Sequence, residues 1–172
     1  ALELDHEPQH AVGAGVLRTH VDDHGVAVVR VQHGGGSSDL DLMRHTNNVV
    51  YLQWLEELAW AHSIALGLGP AEYEALGHGM VVRQHELNYL QATRLGEKLA
   101  LGTWLVHADK LSLQRQYQFI RLDDGVTVFR GRTNFVCVDI AAGRVRRMPP
   151  AFFEAYSKAV IPAVQAPVKS AD

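Results

Sequence analysis

Residues 37 to 51, Ser-Ser-Asp-Leu-Asp-Leu-Met-Arg-His-Thr-Asn-Asn-Val-Val-Tyr, bring together the side chains best suited to chemistry. Asp41 stands four residues before His45, and Asn47 and Asn48 follow just where a long apolar run begins. If that run is a helix, its first N–H groups have no intrahelical partner and favour negative charge. A carboxylate beside such donors has what acyl transfer needs. Asp41 would serve as base or nucleophile, and the free amides would hold the oxyanion. His45 can hold Asp41 in place or assist it directly, while Asn47 and Asn48 are also good helix caps.

Other reactive residues read differently. His62 falls mid-helix on the apolar side and is expected as a hydrogen-bonded core residue. Glu56 and Glu57 fit a solvated stripe, and Glu86 would supply a second carboxylate only if its strand turned it inward. Cys137, the one cysteine, lies in the strand-like Asn-Phe-Val-Cys-Val-Asp and is expected to be a buried, inert thiol. The pairs His6/His10 and His20/His24 share helical spacing, but neither is completed into a ligand set, so no metal is expected. The run His33-Gly34-Gly35-Gly36-Ser37-Ser38 lacks the spacing and basic residue of a phosphate cradle and reads as a loop. Arg144, Arg146 and Arg147 form a basic cluster that is either solvated surface or a phosphate contact.

These groups need elements to position them. Asn47 to Leu66 predicts one long helix, with Thr46 or Asn47 as N-cap and Gly67 and Gly69 beyond its end. Its polar positions, Gln53, Glu56, Glu57 and Ser63, make a narrow stripe, so the helix is expected to be enclosed on most of its circumference. At about 1.5 Å per residue it runs roughly 30 Å. Val16 to His20 and Val26 to Gln32 read as strands around a hairpin-like link ending in Gly25. Met80 to Tyr89, Lys98 to Ala108, Ser112 to Leu122 and Val126 to Asp139 are four further strands, the last two joined through Asp123-Asp124-Gly125. Four long strands after one apolar helix describe an antiparallel sheet curled around it. A short helix is expected over 150 to 160, with Pro at its start. Residues 1 to 12 read as a loose arm, 13 to 160 as a single domain, and 161 to 172 as a disordered tail.

With 172 residues, 47% of them hydrophobic and 20% charged, the chain can bury a core without disulfide or metal. A formal net charge of −3 gives no basic field for nucleic acid. No run approaches the roughly 18 apolar residues of a membrane span. The first residues lack a basic segment leading into an apolar one, so no secretory signal is expected and the cytoplasm is the expected compartment.

Three segments resemble the hotdog superfamily, and within it the 4-hydroxybenzoyl-CoA thioesterase and acyl-ACP thioesterase branch. The first is Asp-Leu-Met-Arg-His-Thr-Asn-Asn-Val-Val-Tyr-Leu-Gln-Trp-Leu-Glu (41 to 56). The second is Asn88-Tyr89 with Ala92-Thr93-Arg94-Leu95-Gly96-Glu97, and the third runs from Val138-Asp139 through Gly143-Arg144 to Arg147-Met148-Pro149. The resemblance implies an α+β fold in which an antiparallel sheet wraps one long central helix. It also implies hydrolysis of an acyl-CoA or acyl-ACP thioester, with Asp41 as base or nucleophile, the Asn48 amide polarising the thioester carbonyl, and His45 assisting. Asn47 and Tyr51 are expected at the substrate, and Arg144, Arg146 and Arg147 at CoA phosphates or the acidic face of a carrier protein. No cofactor is implied. A single repeat implies a homodimer or homotetramer to complete the site.

Two residues depart from the family pattern. Met43 stands where plant-type acyl-ACP thioesterases carry an Asn, and Arg44 replaces the glycine common before the His. These departures favour the alternative, a non-catalytic acyl-CoA-binding or regulatory hotdog protein. A hotdog dehydratase would need a different His and Asp arrangement.

Overall fold

A computed structural model describes residues 20–22, 25–32 and 39–161. The expected N-terminal arm, most of the first strand, the glycine-rich 33–38 loop and the tail lie outside the described residues.

Helix α1, Asn48–Ala65, organises everything else. It starts where Asn47 adopts extended backbone and its side chain accepts a hydrogen bond from the Val49 N–H, satisfying one of the free amides of the first turn. It ends as Gly67 takes up a left-handed conformation, at φ 82°, that a Cβ would disfavour. A short second helix, α2, Pro70–Leu76, follows and was not expected. Its signals were nonetheless written in the chain: Pro70 opens the first turn, Glu72 accepts from the Gly69 N–H, and Gly77 closes it.

Strands β1 (His20–Val21), β2 (Ala27–Gln32), β3 (His78–Tyr89), β4 (Lys98–Ala108), β5 (Ser112–Arg121), β6 (Thr127–Asp139) and β7 (Arg144–Val145) build one antiparallel sheet. Its order is β1-β2-β4-β5-β6-β3, with β7 paired to the end of β6. The chain thus leaves β2, threads α1 across the sheet, and enters β3 at the opposite edge. Helix α3, Pro150–Lys158, closes one end of the assembly. This is the hotdog arrangement.

Two clusters form the core, one holding α1 to the sheet and one holding α3 to it. Around the first half of α1, Tyr51, Trp54, Leu55 and Leu58 pack on Val31, Leu101, Phe119 and Phe129. At the other end Leu68, Leu105, Leu113 and Cys137 pack on Phe152 and Tyr156 of α3. Cys137 is fully buried, and burial raises its thiol pKa, so it stays protonated and inert.

The expected polar stripe is corrected in one place and interrupted in another. Ser63 is buried and accepts a hydrogen bond from the Tyr156 hydroxyl. Val49 and Leu52, by contrast, are exposed. The cause is topological. β3 is the last strand of the sheet, and no further strand covers the flank of α1 that faces past it. The helix is therefore enclosed on the β2–β4 side and open along β3.

Candidate active site

The loop ahead of α1 folds back on itself. Leu40 and Thr46 form an isolated antiparallel bridge, the Asp41 N–H donates to the His45 carbonyl at 2.8 Å, and the Arg44 N–H donates to the Asp41 carbonyl at 3.0 Å. Closing so tight a loop drives Arg44 into the left-handed region at φ 62°, which explains why glycine suits this position. The departure at Arg44 therefore adds backbone strain.

Inside this loop Asp41 is held by one oxygen and free on the other. Its Oδ1 accepts from the Met43 N–H at 2.8 Å and the His45 N–H at 2.9 Å. Its Oδ2 lies 4.0 Å from His45 Nδ1 and makes no hydrogen bond among the described residues. Met43, the other departure, is used here through its backbone, and its side chain is 71% exposed.

A buried hydrogen-bond chain fastens the loop to the turn between β3 and β4. The Thr46 N–H donates to the Thr93 carbonyl at 2.8 Å, and the Thr46 hydroxyl reaches the same carbonyl at 3.1 Å. The Thr46 and Thr93 hydroxyls are 2.6 Å apart, and the Tyr51 hydroxyl lies 2.8 Å from Thr93 Oγ1. With the Thr46 proton spent on the carbonyl, Thr93 donates to Thr46 and Tyr51 donates to Thr93. Tyr51, expected at the substrate, is thus 2% exposed and anchors the helix start from within the core. Tyr89 is the aromatic group nearer the surface. Its hydroxyl donates to the Asn48 carbonyl at 3.4 Å, and its ring meets that of Tyr51 edge-on.

At the first position of α1, the Asn48 N–H has no intrahelical acceptor and no hydrogen bond among the described residues. Asn47 is engaged as cap through its side chain, and its N–H donates to the Asp39 carbonyl at 2.8 Å. Loop, carboxylate and free amide therefore stand at one end of the helix.

A cavity of about 520 Å³ begins beside them and extends along the open flank of α1, bounded across the gap by β3 and β5. Val49, Leu52, Glu56, Ala59, Trp60 and Ser63 line it at helical spacing. Of the other expected carboxylates, Glu57 is not part of this wall, and partial desolvation followed by the charge of Glu56 raises its pKa. Glu86 pairs with Arg132 at 4.0 Å on the strand face away from the cavity, where it cannot act as a second carboxylate. His85, on the inner face, is held by the Thr133 hydroxyl at 2.8 Å.

The basic cluster falls elsewhere. β7 pairs with Val138 and Asp139, which lie opposite the start of β3, whereas Tyr89 at the end of β3 contacts Asn48. Twelve residues of β3 at about 3.3 Å each separate Arg144, Arg146 and Arg147 from Asp41 by most of the sheet. Within one subunit they do not reach the site. The cations beside it are Arg44 and Arg94, both exposed and neither in an ion pair among the described residues.

Sequence reading also missed Arg115. Leu113, Arg115, Tyr117 and Phe119 alternate with Gln114, Gln116 and Gln118, so Arg115 shares the inward phase of three apolar residues. It is 2% exposed and lines the cavity. Its Nη1 donates to His62 Nδ1 at 2.7 Å and lies 3.4 Å from Thr103 Oγ1. Because arginine can only donate, His62 Nδ1 is the acceptor and its proton sits on Nε2. Burial, and then the charge of Arg115, lowers the His62 pKa to about 3, so the ring is neutral at physiological pH.

The family model of the thioesterase-like superfamily matches residues 36–156, from just ahead of Asp41 into α3. The chain belongs to this superfamily. A Synechocystis protein named as an esterase is 31% identical over 101 residues, which are 58% of this chain and 61% of the relative. The L-carnitine dehydrogenase/betainyl-CoA thioesterase of Agrobacterium fabrum is 31% identical over 116 residues, covering 67% of this chain and 24% of that protein. The chain thus spans less than two thirds of the length of either relative. Among solved structures, the DHNA-CoA thioesterase from Staphylococcus aureus superposes with a TM-score of 0.70 at 22% identity, over 77% of this chain and 89% of the other. That likeness concerns the fold.

Proposed function

We propose that this member of the thioesterase-like superfamily hydrolyses an acyl thioester, with CoA or an acyl carrier protein as the thiol. The observation that carries this reading is a carboxylate anchored by one oxygen near the start of α1, where the first amide has no partner among the described residues. The thioester carbonyl oxygen would accept from the Asn48 N–H, where the helix terminus also stabilises the developing negative charge. Asp41 Oδ2 would take a proton from the attacking water and pass it to the departing thiolate, or attack the carbonyl carbon itself, expelling the thiolate and leaving an anhydride that water then hydrolyses. His45, 4.0 Å from Oδ2, orients the carboxylate. The acyl group would enter the cavity at Val49, and Arg44 and Arg94 would meet the phosphates of the thiol carrier.

Assembly completes the site in this account. β3 is an edge strand exposing Val81 and Val82, and the neighbouring flank of α1 exposes Val49 and Leu52. A second copy docked here would close the cavity. In such a homodimer or homotetramer, Arg144, Arg146 and Arg147 would serve only a neighbouring subunit's substrate.

Thiol release from acyl-CoAs of increasing length, including aromatic ones and repeated with acylated carrier protein, tests the reaction. Turnover of any thioester supports it. Tight binding with no thiol release from either carrier would make the protein a non-catalytic acyl-thioester binder.

A further inference from the structure

We infer that the inner end of the cavity is a carboxylate-binding subsite built on Arg115, and that the acyl groups it selects carry a carboxylate at their far end. The inference rests on the thioesterase reading above and adds the substrate class. Its basis is a buried cation without a counter-ion. Arg115 lies at a core position of β5, lines the cavity, and has no carboxylate in an ion pair with it among the described residues. A buried charge left unpaired is costly, and cores retain such groups when something compensates them.

The surrounding polar groups do not compensate it. His62 is neutral, and Thr103 is an alcohol that spends its proton on the Gln116 carbonyl at 2.8 Å. Two buried donors, Arg115 Nε–H and His62 Nε2–H, have no acceptor among the described residues. Nearby the Tyr73 and Tyr156 hydroxyls are 2.5 Å apart, and Tyr156 donates to Ser63 Oγ. Tyr73, Tyr156 and Ser63 line the same end of the cavity as Arg115. This end of the cavity therefore presents the positive charge of Arg115, backed by neutral His62 behind the wall, and no anionic oxygen among the described residues.

The path to it is apolar. From Val49 to Ser63 the helix advances roughly 21 Å at about 1.5 Å per residue, past Leu52, Ala59 and Trp60, with Met80 and Leu113 opposite. Glu56 and His85 are the titratable side chains along this wall. Glu56 stands roughly 9 Å along the helix before His62, the residue that Arg115 bonds, and is in no ion pair among the described residues, while His85 is held by the Thr133 hydroxyl. A chain with its thioester at the Asn48 amide thus crosses apolar surface and ends at a guanidinium. An ω-carboxylate fits that end. A cationic acyl group, such as the one named for the Agrobacterium relative, does not.

The test compares ω-carboxyacyl-CoAs with the unsubstituted acyl-CoAs of equal length, from dodecanedioyl to octadecanedioyl, on wild type, Arg115→Met and Arg115→Lys. Wild type is expected to favour the ω-carboxyl member in kcat/KM by on the order of 10- to 100-fold at the best length. Arg115→Met should erase that preference while still hydrolysing the unsubstituted chain, and Arg115→Lys should keep part of it. A second readout needs no turnover. Dodecanoate should raise the wild-type melting temperature more than dodecanol does, and Arg115→Met should remove the difference.

Hydrolysis of both series without discrimination would overturn the inference and leave the thioesterase reading intact, even if dodecanoate binds, since its carboxylate is then that of a free acid. Arg115-dependent binding of dodecanoate without hydrolysis of any thioester would support the subsite and sink the enzyme. Should Arg115→Met fail to fold, an unchanged preference in Arg115→Lys would also overturn the inference.

Discussion

Arg44, His62 and Asp41 each combine an ordinary side chain with a position that alters its behaviour. Arg44 sits at φ 62°, a conformation costing a non-glycine residue about 1 kcal/mol or more, part of which glycine would return through its freer unfolded chain. Arg44→Gly should therefore leave the melting temperature unchanged or raise it by a few degrees, a difference that calorimetry resolves. His62 has its pKa lowered from 6.5 to about 3 by burial and by Arg115. The unfolded chain then binds one more proton than the fold between those values. Its contribution to stability is complete above about pH 6.5 and falls as pH drops, with a slope of about 1.4 kcal/mol per pH unit. Urea titrations from pH 7 to 4 should show that slope, and His62→Gln should flatten it. The structure brings Asp41, His45 and Asn48 together at the start of α1, a grouping legible in their spacing, and their catalytic roles are what we propose. Tyr51 was misplaced because a motif states order along the chain, whereas the direction of a side chain depends on Thr93, which is 42 residues away.

Among the elements, the decisive joint is the one between the loop before α1 and the β3–β4 turn. Tyr51→Phe removes the first donor of the Tyr51–Thr93–Thr46 chain, a buried hydrogen bond worth about 1 kcal/mol. The variant should melt a few degrees lower and lose kcat with KM little changed, because the helix start it steadies carries the amide proposed to hold the oxyanion. Equal kcat in the two proteins would place this joint outside catalysis. The elements themselves were largely readable. Helix α1 and strands β3 to β6 fell close to their expected bounds because capping residues, glycine stops and alternation act locally. Helix α2 was overlooked because only Pro70–Leu76 are involved, too few residues to show a periodic pattern. Arg115 was overlooked although its phase within β5 was visible, since a lone arginine among glutamines reads as another polar residue until its neighbours are placed.

For the molecule as a whole, strand order decides what is open. That β3 crosses to the far edge of the sheet does not follow from any local pattern, and it alone leaves α1 uncovered along the cavity and the arginines of residues 144–147 remote from Asp41. A long edge strand exposing Val81 and Val82 is a surface that proteins ordinarily cover. Light scattering after gel filtration should give a multiple of the monomer mass for wild type, and Val81→Asp should shift it toward the monomer with loss of turnover. A wild-type monomer with full activity would remove assembly from the account. Above all, the account stands on Asp41 acting beside the free amide of Asn48. The measurement that tests this most directly is steady-state kinetics of wild type and Asp41→Asn on the best thioester, with urea unfolding of both proteins alongside. At matched stability, kcat is predicted to fall by about a hundredfold or more with KM little changed. Turnover that survives in Asp41→Asn would contradict the mechanism.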